Sequence, residues 1–305
     1  MEIRQLRHFL KLMETRSYWR AARACDLTPQ ALSKSIRRFE EHLGVRLFDR
    51  DTRSVKPTLF AEEIATYARN IDAEANSLGR AIDSMLGTGT NRLVIGTGAA
   101  AATQLVGEAL LAVLEQRPKL TVNVVEGTYE SLIPQLMNGE LDVVVSIMTI
   151  DSVDGLIDHR VLHEEHYRVY ARAGHPLARQ RQVPLAKLLE YRWIAGDDQD
   201  LVAEEVAASF AAAGLERPKP ALHTNSVSFA TSVLLQSDAL FILPTEMMRR
   251  EVETGLIVAL DVALDTESGA WTRPTAVFFR KNSTRSPDSL LFLKELKRII
   301  DRARA

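Results

Sequence analysis

The chain has 305 residues, 46% of them hydrophobic, with 38 basic against 40 acidic side chains and one cysteine. That length calls for two or three units, and that apolar share supports sizeable cores, which excludes a disordered chain. The single Cys25 excludes an internal disulfide and a cysteine-rich metal site. No apolar run reaches the roughly 18 residues of a membrane span, and the start MEIRQLRHFL lacks a signal-peptide core, so a cytoplasmic protein is expected. None of the seven histidines has metal-ligand spacing; His163 and His166 are expected at strand edges, and no metal or cofactor is expected.

In chain order, residues 4–14 form an opening helix with Leu6, Phe9, Leu10 and Met13 on one face. Ser17 caps a short helix through Ala21, Ala22 and Ala24, whose small side chains let a second helix cross closely, and Cys25-Asp26-Leu27 makes the turn. Cys25, inside this unit, is expected to pack rather than sense redox state. The second helix runs from Pro29 to Leu43, with Thr28 as N-cap, Pro29 first in the helix and Gly44 ending it. Leu32, Ile36, Phe39 and Leu43 form its apolar stripe, while Gln30, Ser33, Lys34 and Arg37 share the opposite face.

Two short helices joined by a tight turn, the second with a polar face, make a helix-turn-helix able to enter a major groove. Gln30, Ser33 and Arg37 are the candidates for base edges. Leu47 and Phe48 anchor a small hairpin whose tip and return strand carry Arg50, Arg53 and Lys56 as a wing; with Lys34 and Arg38 these suit phosphates. Residues 1–58 hold 13 Lys and Arg against 7 Asp and Glu, a net of +6; the other 247 residues hold 25 against 33, a net of −8. A basic end on an acidic body is the footprint of a nucleic-acid-binding module.

From about Thr58 to Leu86 one long helix is expected, with Ala61, Ile64, Ala68, Ile71, Ala75, Leu78, Ile82 and Met85 in alternating three- and four-residue steps. That heptad seam predicts a partner helix, with Ile64, Ala68, Ile71, Ala75, Leu78 and Ile82 in a dimer contact. Gly87-Thr88-Gly89-Thr90-Asn91 reads as a hinge.

Beyond it strands and helices alternate. Strands are expected at 92–96, 120–126, 141–146, 167–172, 192–195, 220–224, 239–243, 256–260 and 275–280, with a closing helix at 287–302. Strand-helix-strand order predicts a mostly parallel sheet in two α/β lobes, with the chain crossing between them near residue 162.

The run AARACDLTPQALSKSIRRFEEHLGVRLFDR resembles the winged helix-turn-helix of LysR-type transcriptional regulators, and length and layout extend the resemblance over the whole chain. Tyr18-Trp19 and Ala61 depart from the common pattern. The resemblance implies an N-terminal winged helix-turn-helix (1–58), a dimerising linker helix and hinge (59–91) and a two-lobed effector domain like periplasmic binding proteins (92–305). Lobe I would span about 92–161 and 269–305, and lobe II about 162–268. It also implies a homodimer, further assembled to a tetramer, on inverted-repeat operator DNA, with no catalytic role.

The effector, a small molecule such as a carboxylate, is implied between the lobes. Gly98, Ala99 and Ala100 follow a strand and open a helix, whose free N–H groups attract anions. Relatives often carry Ser or Thr there; Gly-Ala-Ala suggests a bulkier or less polar ligand. Thr128, Ser146, Asp197, Asn225 and Ser226 stand at equivalent strand ends, where each serves equally well as a turn former or helix cap. Two rival functions arise. Gly96-Thr97-Gly98-Ala99-Ala100-Ala101 fits the G-x-G-x-x-A fingerprint of a nicotinamide-dinucleotide-binding protein or oxidoreductase, with Glu126 as the acid after the next strand, but that acid is 30 residues on rather than about 20. A transport-type binding protein that sequesters its ligand would match the lobes but leaves residues 1–58 unexplained.

Overall fold

The computed structural model describes residues 2–49, 55–86, 92–148, 156–196, 202–264, 270–281 and 283–304. Arg50, Arg53, Asp197 and the expected hinge at 87–91 lie outside the described residues.

Three helices open the chain: α1 (Ile3–Thr15), α2 (Tyr18–Ala24) and α3 (Pro29–Leu43). Phe9 and Leu12 of α1 and Leu32, Ile36 and Phe39 of α3 are at most 1% exposed, and Phe9 packs tilted on both Phe39 and Phe48. Ala21 and Ala22 are fully enclosed, the close crossing that small residues permit. A two-stranded hairpin follows, β1 (Phe48–Asp49) against β2 (Lys56–Pro57), with Phe48 opposite Pro57 and Asp49 opposite Lys56.

The long helix α4 (Leu59–Leu86) carries two apolar faces rather than one seam. Ala61, Ala65 and Ala68 are buried in the N-terminal core, and Ile64 packs against it. The expected dimer seam is therefore corrected: Ala68 and Ile64 serve their own chain, because a helix bound along one side by α1 has only its other side to offer. Among the described side chains Leu59 at the first position is 85% exposed, and the exposed apolar ones after it are Phe60, Tyr67, Ile71, Leu78 and Ile82, the five at steps of seven, four, seven and four, with Ala75 half-buried.

Midway, α4 is held from both sides. Arg7 of α1 reaches Asp72 and Asn76 at 2.6 Å each. Ala73 meets Gly139 so closely that a Cβ there would lie 2.6 Å from the Ala73 methyl, and Gly139 also has φ +74°.

The rest is one nine-stranded sheet. Its strands are β3 (Arg92–Thr97), β4 (Thr121–Glu126), β5 (Val143–Ile147), β6 (Ile157–Arg172), β7 (Trp193–Ala195), β8 (Pro220–His223), β9 (Leu240–Pro244), β10 (Ile257–Ala259) and β11 (Trp271–Arg280). The order is β4-β3-β5-β11-β6-β9-β7-β8, with β10 beside β6. The helices are α5 (Ala99–Ala101), a π turn (Ala102–Val106), α6 (Gly107–Gln116), α7 (Tyr129–Met137), α8 (Leu185–Leu188), α9 (Ala203–Ala212), α10 (Val227–Gln236), a 3-10 turn (Thr245–Met248), α11 (Arg249–Glu253) and α12 (Pro287–Arg304).

Two parallel triplets, β4-β3-β5 and β9-β7-β8, are joined by antiparallel β11 and β6, so the sheet is mixed rather than mostly parallel. The crossing is also far longer than a single point. Strand β6 begins at residue 157, ten residues before the expected strand, and β11 begins at 271 rather than 275. Strand β11 pairs with β5 of lobe I, β6 pairs with β9 and β10 of lobe II, and the two crossing strands pair with each other along the length of β11.

Candidate DNA-reading face and effector cleft

Helix α3 is fixed at both ends by local chemistry. Thr28 accepts a hydrogen bond from the Ala31 N–H at 3.2 Å, Pro29 fills the first turn, and Gly44 ends it with φ +73°. Behind it, His8 of α1 and Ser35 of α3 hydrogen-bond at 2.7 Å, and burial pulls the His8 pKa down. Glu40 accepts from the Leu47 and Phe48 N–H groups at 2.8 and 3.2 Å, which pins the hairpin to the helix. Thr58 donates to the Arg46 carbonyl at 2.8 Å and caps α4 through the Ala61 N–H, closing the other side of the hairpin.

What this scaffold presents is cationic. Thr28, Pro29, Gln30, Lys34, Arg37 and Arg38 are exposed, and Ser33 is half-buried. Lys34, Arg37 and Arg38 have no ion-pair partner among the described residues, so Arg38 is not tied to Glu41 or His42. Lys56 is exposed on β2. The role of Glu40 escaped the sequence reading of this unit, since by position it is an ordinary helix-surface acid. Trp19, one of the departures from the family pattern, is 62% exposed with the Arg23 guanidinium 5.8 Å from its ring centre. Cys25 is half-buried, and burial raises its thiol pKa, as a packed, unreactive thiol requires.

In the second half, the C-terminal ends of β3 and β5 come together. The Gly98 N–H donates to the Val145 carbonyl at 2.8 Å, and a Cβ on Gly98 would lie 3.1 Å from the buried Ser146 hydroxyl. Ala99 and Ala100 follow directly. The helical backbone runs without a break from Ala99–Ala101 through the π turn Ala102–Val106 into α6. The π turn beside a strand end is itself a feature often found at functional sites.

Thr128 caps α7 by accepting from the Ser131 N–H at 3.4 Å, and Ser226 caps α10 by accepting from the Phe229 N–H at 3.3 Å. Both, with Asn225, are exposed. The dinucleotide fingerprint dissolves on inspection of Gly96: a Cβ there would meet Leu141 at 2.7 Å and Leu132 at 3.1 Å, so packing under α7 demands the glycine.

The crossing strands carry polar groups that no motif announced. On β6 and β11, Arg273 stands opposite Glu165 and Thr275 opposite His163. Glu165, 3% exposed, bonds His163 at 3.0 Å, and Arg273, 9% exposed, pairs with Glu205 of α9 at 2.9 Å. The Thr275 hydroxyl and Arg273 Nε are buried without a protein hydrogen-bond partner.

A basic winged helix-turn-helix joined to a two-lobed α/β ligand-binding fold defines a ligand-responsive transcriptional regulator. Residues 3–62 match the bacterial regulatory helix-turn-helix model of the LysR family, and residues 87–300 match the LysR substrate binding domain. The chain belongs to the LysR family of transcriptional regulators, which bind operator DNA through the first module and a small-molecule effector through the second. It is similar to the HTH-type transcriptional regulator GbpR of Azospirillum brasilense, 26% identical over 305 residues, 99% of this chain and 87% of that protein. To the regulator PcaQ of Agrobacterium fabrum it is 26% identical over 295 residues, 95% of this chain and 93% of that one. In fold it is similar to full-length CbnR, solved with its target DNA, at a TM-score of 0.61 and 20% identity over 98% of this chain and 99% of that one. These relatives are regulators, and nothing in them supports the dinucleotide reading.

Proposed function

We propose that Gln30, Ser33 and Arg37 read base edges, while Lys34, Arg38, Arg50, Arg53 and Lys56 hold phosphates and Thr28 and Pro29 set the helix start against the backbone. The observation carrying this is that Gln30, Lys34, Arg37 and Arg38 stand exposed on one capped helix, its cations without ion-pair partners among the described residues. Arg37→Ala is expected to cost about 1–3 kcal/mol on a specific operator and to relax base preference there, while Arg53→Ala weakens all sequences alike and lowers the salt slope by about one. Affinities on specific and scrambled duplexes at two salt concentrations check both; equal losses on both duplexes for Arg37→Ala would remove it from the base-reading set.

The effector site of this reading is the cleft at the strand ends, with Gly98, Ala99, Ala100, Thr128 and Ser146 on one side and Asp197, Asn225 and Ser226 on the other. Gly98 against Ser146 supports a ligand with an apolar face and one polar group. The ligand acts by binding one lobe arrangement better than another, a population shift passed to the DNA-binding units. The chain assembles as a homodimer through Phe60, Tyr67, Ile71, Leu78 and Ile82 of α4, and dimers pair into tetramers, so that two α3 helices meet two half-sites. It works in the cytoplasm, on DNA, and catalyses nothing. Ile71→Asp is expected to break the helix pairing, and sedimentation showing an unchanged oligomer would sink that assignment.

A further inference from the structure

Helix α2 has an outer side that neither the core nor the reading face of α3 accounts for. Ala21 and Ala22 are buried and Tyr18 packs on the N-terminal core, which leaves Trp19, Arg20 and Arg23 outside. Residues 15–25 contain Arg16, Arg20 and Arg23 and no acid. All three are exposed, and among the described residues no carboxylate pairs with any of them.

Trp19 is the unusual member of this surface. Of the three tryptophans, Trp193 and Trp271 are 4% and 3% exposed, whereas Trp19 is 62% exposed. The ring is not left loose. Arg23, four residues on and so on the same side of the helix, holds its guanidinium over the indole, 5.8 Å from the ring centre. Attraction between the cation and the ring face orders both side chains before any partner arrives. The partner this surface suits is set by its charge and by its place. In a helix-turn-helix the second helix enters the major groove while the first crosses the sugar–phosphate backbone.

We propose that Trp19, seated by Arg23, is a clamp on the DNA backbone. Its ring lies against a deoxyribose, its indole N–H donates to a phosphate oxygen, and Arg20 and Arg23 meet the neighbouring phosphates. The clamp rests on α3 reading the groove as proposed above. Trp19 differs in kind from the cations around it. A Lys or Arg on a phosphate releases counterions, so its contribution fades as salt rises. A neutral indole releases none, and Trp19 adds a contact that persists at high salt.

The test titrates the full-length chain with a short duplex of random sequence at several salt concentrations, because backbone contacts need no particular operator. Trp19 is the exposed tryptophan, so acrylamide quenching of the emission is expected to fall as the duplex saturates. Trp19→Ala is expected to weaken binding by about tenfold with the salt slope unchanged. Trp19→Phe keeps a ring without the N–H and falls between, whereas Arg23→Gln lowers the slope by about one. Should Trp19→Ala melt early, Trp19→Phe and the quenching decide. Quenching that stays the same at saturation overturns the proposal, as does a Trp19→Ala chain that binds as tightly as the wild type. Lys34→Gln reports separately on α3. Full affinity in that variant counts against the α3 reading, while a weakened Lys34→Gln beside an unaffected Trp19→Ala removes the clamp alone.

Discussion

The DNA-binding unit and the effector half treat polar atoms in opposite ways. Around α3 the structural polar groups are spoken for: Glu40 takes two hairpin N–H groups, Thr58 bridges hairpin and linker, and His8 meets Ser35. Its functional groups are long cations standing free outside that frame. In the effector half several polar atoms at the crossing strands are buried without a protein partner, the Thr275 hydroxyl and Arg273 Nε on β11 and, on the neighbouring α9, Glu205 Oε2. Buried polar atoms are ordinarily satisfied, so the contrast marks where each half keeps its capacity to change. The N-terminal unit is a rigid frame offering charge to a partner outside. The effector half keeps unsatisfied groups where its two lobes join.

The contrast breaks most visibly if the frame is not rigid. Phe39 is 1% exposed and packs on Phe9, so Phe39→Ala is expected to cost the N-terminal unit about 3–5 kcal/mol. Calorimetry should then resolve an early transition from that unit while the sheet melts as before; a single shifted transition would mean that α4 locks both halves into one cooperative block. Next in size is Glu40→Ala. It leaves two hairpin N–H groups without their carboxylate, at about 1.5–3 kcal/mol for hydrogen bonds to a charged group. Operator affinity is expected to fall with it through misplacement of the wing, although Glu40 itself bears the wrong charge to touch a phosphate. An undiminished affinity would show that the wing is positioned without that carboxylate.

The two halves differed as much in how far their residues alone disclosed them. In the first, each functional decision was local. Thr28-Pro29 and Gly44 bound the helix, a four-three-four apolar rhythm oriented it, and the opposite face then had to be polar. The effector half turned on non-local pairing. Strand β6 spells IDHRVLHEEHYRVYAR, whose first ten residues pair with β11 alone and carry polar side chains along an open edge, so no apolar run betrayed the strand. Gly96 was read through a motif when its cause, Leu141 packed against it, lies 45 positions away. The linker showed the same limit. Its periodicity was visible, but which alanines face the chain's own core depended on where α1 docks.

The smallest expected effect sharpens the idea of a frame whose polar groups are already committed. His8 is 8% exposed, and burial, reinforced by the neighbouring Arg4 charge, lowers its pKa from the ordinary value. The folded unit therefore holds His8 neutral under conditions where the unfolded chain would protonate it. Between the lowered folded pKa and the ordinary value of about 6.5 the unfolded state binds more protons, so stability rises with pH across that window and is lost as pH falls through it. Chemical denaturation of the wild type and of His8→Gln, which keeps a hydrogen-bonding group near Ser35, should show the wild type losing more stability than the variant from pH 7 to pH 5. Parallel losses would mean that His8 takes up its proton in the folded state at no cost, and that the contact between α1 and α3 opens to water more readily than its 2.7 Å hydrogen bond implies.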